Sequence, residues 1–167
     1  MALLTPAKEL AVRAKLKEIF EELTDIYVFD RPRQIVSKQH FEAHTTKTIL
    51  GKKEIRYLEF YFVDFVDLDD EAQLDADCVP VDLLYEGQIG FSYVESRSDD
   101  SNSFNDIKAC ILDLRNMFLD NGDLIISGIT YELKRMEPLR QLRIERHPVT
   151  EQEMHLYDFK FSVGVRE

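Results

Sequence analysis

The stretch Glu54-Ile-Arg-Tyr-Leu-Glu-Phe-Tyr-Phe-Val-Asp-Phe-Val66 decides the fold. Tyr57, Tyr61, Val63 and Phe65 alternate with Leu58, Phe60, Phe62 and Val66, so both faces of an extended chain are largely apolar there. Such a strand is covered on both sides, either by other elements of its own chain or by a neighbouring subunit. A second extended run follows at Val79 to Val94, with Leu83, Tyr85, Ile89, Phe91 and Tyr93 on one face. Gly87 and Gly90 in its middle signal a bulge or a close approach of another group to the backbone. From Asp64 on the sequence turns acidic, with Asp64, Asp67, Asp69, Asp70, Glu71, Asp75 and Asp77, a stretch that cannot be core. The two runs and this stretch read as one long antiparallel hairpin.

Outward from the hairpin, helical periodicity appears on both sides. Thr5 as N-cap and Pro6 at the first helical position open a helix over Ala7 to Leu23. Its Leu16, Ile19, Phe20 and Leu23 recur three and four apart. Ile26-Tyr-Val-Phe29 reads as a short strand stopped by Asp30-Arg-Pro32. Residues 33–53 are polar and weakly patterned, with extended pieces at Ile35-Val36 and Thr45 to Leu50. After the polar loop Glu95 to Ser103, a second helix starts at Asn102 or Ser103, with Asp106 in a capping-box position. Phe104, Ile107, Ile111, Leu114 and Phe118 form its apolar stripe, and Asn121-Gly122 ends it. Leu124 to Leu133 reads as one strand. Lys134 to Pro148 is basic and irregular, extended around Leu142 to Ile144. Met154 to Val165 alternates cleanly, Tyr157, Phe159, Phe161, Val163 and Val165 against Asp158, Lys160, Ser162 and Gly164. The expectation is one α+β domain spanning residues 1–167. It is a two-layer sandwich of a mainly antiparallel sheet, with a long hairpin and two amphipathic helices packed on it.

The chain has 167 residues, enough for one core, with 44% hydrophobic residues and a net charge of −11. Charge of that sign repels phosphate backbones and argues against nucleic-acid binding through a basic patch. Cys78 and Cys110 form no CxxC and no Cys/His cluster, which excludes a disulfide framework and a structural zinc site; Cys110 reads as a buried thiol. No signal peptide and no run near the ~20 apolar residues of a membrane span is visible, so a cytoplasmic setting is expected.

Chemistry-bearing patterns are sparse. Counting a calcium loop from Asp67 puts Ala72 at the sixth position and Cys78 at the twelfth, where Gly and Glu are needed. Asp123, Glu132 and Lys134 resemble the carboxylate and Lys set of restriction-type nucleases, which holds magnesium and steadies an attacking water. His40 and His44 stand four apart without an HExxH motif, in a segment that does not read as helical; His147 and His155 are isolated. No nucleotide-binding or nucleophile-elbow motif occurs. The expectation is a non-enzymatic protein without cofactor or metal.

The succession Leu10–Leu23, hairpin Glu54–Val94, Phe104–Leu119, Leu124–Leu133 and His155–Val165 resembles the tail-terminator and tail-completion proteins of long-tailed phages. That resemblance implies a homo-oligomeric ring, typically a hexamer, seated on the last layer of the tail tube and contacting tail tube and head–tail connector proteins. DNA would pass through such a ring without specific binding, in a virion assembled in the host cytoplasm. The surfaces facing the lumen or a partner would be the hairpin tip with Asp67, Asp69, Asp70, Glu71, Asp75 and Asp77, and the loop with Ser96, Arg97, Asp99 and Asp100. The long stretch 33–53 departs from a simple terminator. Two other readings remain open on the sequence: an acidic inhibitor or immunity-type protein that binds a basic partner, and a metal-dependent nuclease.

Overall fold

A computed structural model of the chain describes residues 4–24, 26–31, 37–49, 52–67, 81–92, 101–119, 122–134, 143–146 and 153–165. Three helices and eight strands are found among them: α1 (Pro6–Thr24), β1 (Tyr27–Arg31), α2 (Lys38–Thr45), β2 (Thr46–Ile49), β3 (Lys52–Asp67), β4 (Val81–Ser92), α3 (Ser101–Leu119), β5 (Asp123–Ile126), β6 (Ile129–Leu133), β7 (Arg143–Arg146) and β8 (Glu153–Val165). The class is α+β, as the sequence implies. The sheet runs β1-β3-β4-β8-β6-β5, with β2 added on β3 and β7 on β8. Every pairing is antiparallel except β1 with β3.

The hairpin is as read, β3 and β4 pairing from Arg56↔Phe91 to Asp67↔Val81. A register shift between Phe62 and Asp64 leaves Val63 as the extra residue of a bulge. β8 lies along the other side of β4 from Leu83↔Val163 to Ser92↔Met154. With β4 held between two long strands, alternate residues sort into an inner and an outer face. Leu83, Tyr85, Ile89 and Phe91 of β4 join Leu58 and Phe60 of β3 and Phe159, Phe161 and Val163 of β8 in the main core. α1 closes that core with Val12, Leu16 and Phe20, one helical turn apart, all fully buried. Phe20 sets its ring edge-on to Phe60 at 5.3 Å and to Phe161 at 5.9 Å. Leu114 of α3 completes the layer, and Cys110 of α3 donates its thiol to the Thr24 carbonyl at the end of α1, 3.3 Å away. Thr5 caps α1 as expected, accepting from the Lys8 N–H at 3.3 Å.

Gly87 and Gly90 admit rings rather than a bulge. A Cβ on Gly87 would stand 2.2 Å from the Phe159 ring, and one on Gly90 2.6 Å from the Tyr57 ring. Three residues apart on a strand, the two glycines face opposite ways. Phe159 therefore crosses β4 on the inner face and Tyr57 crosses it on the outer face.

Three readings are corrected. The segment around His40 and His44 is helical: Ser37 caps α2 by accepting from the His40 N–H, and the Thr46 N–H closes the other end on the Glu42 carbonyl. α2 belongs to the connection between the parallel strands β1 and β3, which no tight turn could join. Leu124 to Leu133 is a hairpin, turned at Ser127 (φ 51°) and Gly128 (φ 79°), the positive angles a two-residue hairpin loop requires. α3 begins at Ser101, ahead of the expected cap. The extended piece expected at Ile35-Val36 lies outside the described residues, as does Cys78.

Substituting Gly87→Ala drives a methyl into the Phe159 ring, which is itself packed on Phe161 at 5.9 Å. The variant is expected to lose about 1–3 kcal/mol of unfolding free energy in urea titrations. Gly128→Ala meets no neighbouring atom, and its cost is confined to the strain of a positive φ, about 1 kcal/mol.

Candidate functional site

The outer face of the sheet carries the chain's organised polar chemistry. The same alternation that turns Leu83, Tyr85 and Ile89 inward turns Asp82, Glu86 and Gln88 of β4 outward. Register then places a partner beside each. The Tyr57 hydroxyl donates to Gln88 Oε1 at 3.4 Å, and the Gln88 amide donates to Asp158 Oδ1 of β8 at 3.0 Å. Glu86 accepts from the Tyr61 hydroxyl and pairs with Lys160 at 3.3 Å. Lys134, just after β6, donates to both oxygens of Asp82 at 2.9 and 3.1 Å. The result is a ladder of polar side chains running across β3, β4, β8 and β6. Three carboxylates, Asp82, Glu86 and Asp158, and two ammonium groups, Lys134 and Lys160, stand in it, so the described ladder carries net negative charge, which repels phosphate.

One end of this face is apolar. Phe29, Phe41, Ile55, Tyr57, Met154 and Leu156 form a second core cluster. Phe41 of α2 stacks on Phe29 at 5.1 Å and meets Tyr57 edge-on at 5.2 Å. α2 is thus a small cover on the side of the sheet opposite α1.

Asp123, Glu132 and Lys134 do come together. Asp123 and Glu132 are direct cross-strand partners on β5 and β6, and Lys134 lies two residues on from Glu132, on the same face. Asp82, however, already holds the Lys134 ammonium. Among the described residues, no group of three or more His, Cys, Asp or Glu could hold a metal ion. Of the residues expected to face a lumen or partner, Asp67 ends β3 opposite Val81. Asp69, Asp70, Glu71, Asp75, Asp77, Ser96, Arg97, Asp99 and Asp100 lie outside the described residues.

Two ionic groups are buried in the inner layer, unannounced by any motif. Arg13 bonds Glu9 at 2.7 Å within α1 and reaches Asp30 of β1 at 3.4 Å. The Tyr85 hydroxyl donates to the other Glu9 oxygen at 3.2 Å; burial, and then the Glu9 charge, push its pKa far up, so it stays a donor. At the opposite end of the sheet Arg56 bonds Glu54 at 2.9 Å, both nearly fully buried. Beside this pair, register sets Arg56, Phe91 and His155 in one row across β3, β4 and β8, with the His155 ring stacked on Phe91 at 5.1 Å. The sequence signal for both groups is a charged residue at a position the periodicity assigns to the core, such as Arg13 between Val12 and Leu16.

The comparisons with known proteins add a fold and nothing more specific. No family model matches the chain, and no curated protein matches it in sequence. Fifteen chains of solved structures match its fold. One of these, bearing only a serial designation, is 12% identical and aligns with a TM-score of 0.54 over 99% of this chain and 98% of that one. At that identity the likeness is one of architecture. No helix among the described residues is long and apolar enough to cross a membrane.

Burial lowers the pKa of His155 from its ordinary 6.5, against a smaller upward pull from Glu153. Between the lowered value and 6.5 the unfolded chain binds more protons at this site than the folded one, so stability rises with pH there and falls as the solution is acidified. Replacing His155→Phe, which keeps a ring on Phe91, is expected to reduce the stability lost between about pH 7 and pH 5 in urea titrations. An unchanged pH dependence would show that His155 is equally easy to protonate folded and unfolded.

Proposed function

We propose that this protein is a structural component of a phage tail or neck, working as a homo-oligomeric ring that caps the tail tube and joins it to the head. The observation that carries the reading is the long β3–β4 arm. Past the last β1 partner, Tyr61, β3 continues from Phe62 to Asp67, about 20 Å of strand. Val63 and Asp64 are exposed on this arm, and the hairpin tip that follows carries Asp69, Asp70, Glu71, Asp75 and Asp77.

The charge distribution supports the reading. The acidic outer face suits a channel that DNA traverses without sticking. An inhibitor of a basic partner would share the net charge but does not call for a hairpin that runs on past the edge strand β1.

Light scattering on the purified chain across concentration and salt, followed by electron microscopy, tests the assignment. Rings of about six subunits are expected, with Val63→Asp on the exposed part of β3 shifting the equilibrium towards monomer. A strict monomer that fails to bind assembled tail tubes, or magnesium-dependent DNA cleavage lost in Glu132→Ala, would refute it.

A further inference from the structure

Residues that periodicity leaves as scattered surface histidines become neighbours once α2 is formed. His40 and His44 are one helical turn apart on α2, both exposed, with ring centroids 4.4 Å apart. Their surroundings hold them there. Phe41 and Thr45 are buried beneath the helix and fix which way it faces. Ser37 caps its start on the His40 N–H, and the Thr45 hydroxyl donates to the Phe41 carbonyl at 2.7 Å. The His44 ring stacks on Tyr27 at 4.8 Å and 23°. Tyr27 in turn meets Phe29 edge-on at 4.7 Å and carries the Lys17 ammonium at 5.7 Å from its ring centre. A pair of imidazoles on one exposed helical turn, with one ring already immobilised, is a two-point chelate whose ordering cost is largely met before any ligand arrives.

The geometry points to His40 and His44 as a binding site for a borderline-soft divalent transition-metal ion, such as Ni2+, Cu2+ or Zn2+. Imidazole nitrogen suits these ions, whereas Mg2+ and Ca2+ demand oxygen ligands that the pair does not offer. Two protein ligands leave the remaining coordination positions to solvent or to a group from a neighbouring molecule. Binding clamps one turn of α2 and so tightens the cover over Phe29 and Tyr57. The site stands apart from the ring reading and does not depend on it.

Calorimetric titration of the untagged chain with NiCl2 tests the site. One Ni2+ per chain is expected, and none under the same conditions with MgCl2. His40→Asn and His44→Asn should each weaken binding by about tenfold or more, since either removes the chelate, while His147→Asn leaves it intact. Circular dichroism checks that the variants fold. On the unsubstituted chain, Ni2+ should also protect His40 and His44 from diethyl pyrocarbonate, read by peptide mass. No Ni2+ binding by the unsubstituted chain, undiminished binding in both variants, or modification of both histidines at the unprotected rate would overturn the assignment.

Discussion

Two aromatic rings lie flat across one strand, and the architecture depends on their being able to do so. Phe159 crosses β4 at Gly87 on the inner face, and Tyr57 crosses it at Gly90 on the outer face. Rings packed over a glycine fill the gap its missing side chain leaves and pin the register of the strands that supply them. Here those strands are β8 and β3, the two neighbours of β4. A slip of one residue on either side would swing its ring to the other face and bring a Cβ where only backbone fits. The same register stacks Tyr85 on Phe161 at 5.1 Å and presents the Phe60 and Phe161 rings to Phe20 of α1. Helix docking is therefore downstream of strand pairing.

Charge is handled differently on the two faces. Inside, Glu9, Arg13, Asp30 and Tyr85 join α1, β1 and β4, and Glu54 with Arg56 lies at the far end of the same layer. Buried pairs of this kind seldom add net stability over apolar packing, but removing one partner is costly. The Glu9–Arg13–Asp30–Tyr85 group ties α1 to one placement over the sheet. Outside, the contacts of Gln88 and Glu86 are partly exposed and each contributes little by itself, whereas Asp82, which holds Lys134, is buried. Its consequence is a face of one prevailing sign, useful to a protein that must let a polyanion pass or must dock on something basic.

Long elements with a sustained period were legible in the sequence. α1, the β3–β4 hairpin and β8 each repeat their apolar pattern over a dozen residues or more, and the glycines of β4 were readable as a close approach. α2 was not legible, because eight residues with only Phe41 as a large apolar side chain carry no period; the helix is held by Ser37 and by packing on Phe29 and Tyr57. The turn at Ser127-Gly128 was lost inside a run of Leu, Ile and Tyr that reads equally well as one strand. The parallel pairing of β1 left no local mark at all. Of the candidate site, only Asp67 falls within the described residues, whereas the outer ladder, the buried ion pairs and the histidine pair went unread. The ladder and the Glu9–Tyr85 bond join residues 25 to 76 positions apart, and the histidine pair needs a helix that the local sequence does not announce.

What the sequence by itself determined is the alternation of apolar residues, the places where side chains must be missing, and the net charge. Those are local or additive properties, so periodicity and counting suffice to define an acidic α+β domain with a long hairpin. Only the tertiary structure decided which strands are neighbours, on which side α2 lies, and which charged groups meet. These follow from strand register and crossover geometry, and both depend on distant segments finding each other across the sheet, information that no window of the sequence contains.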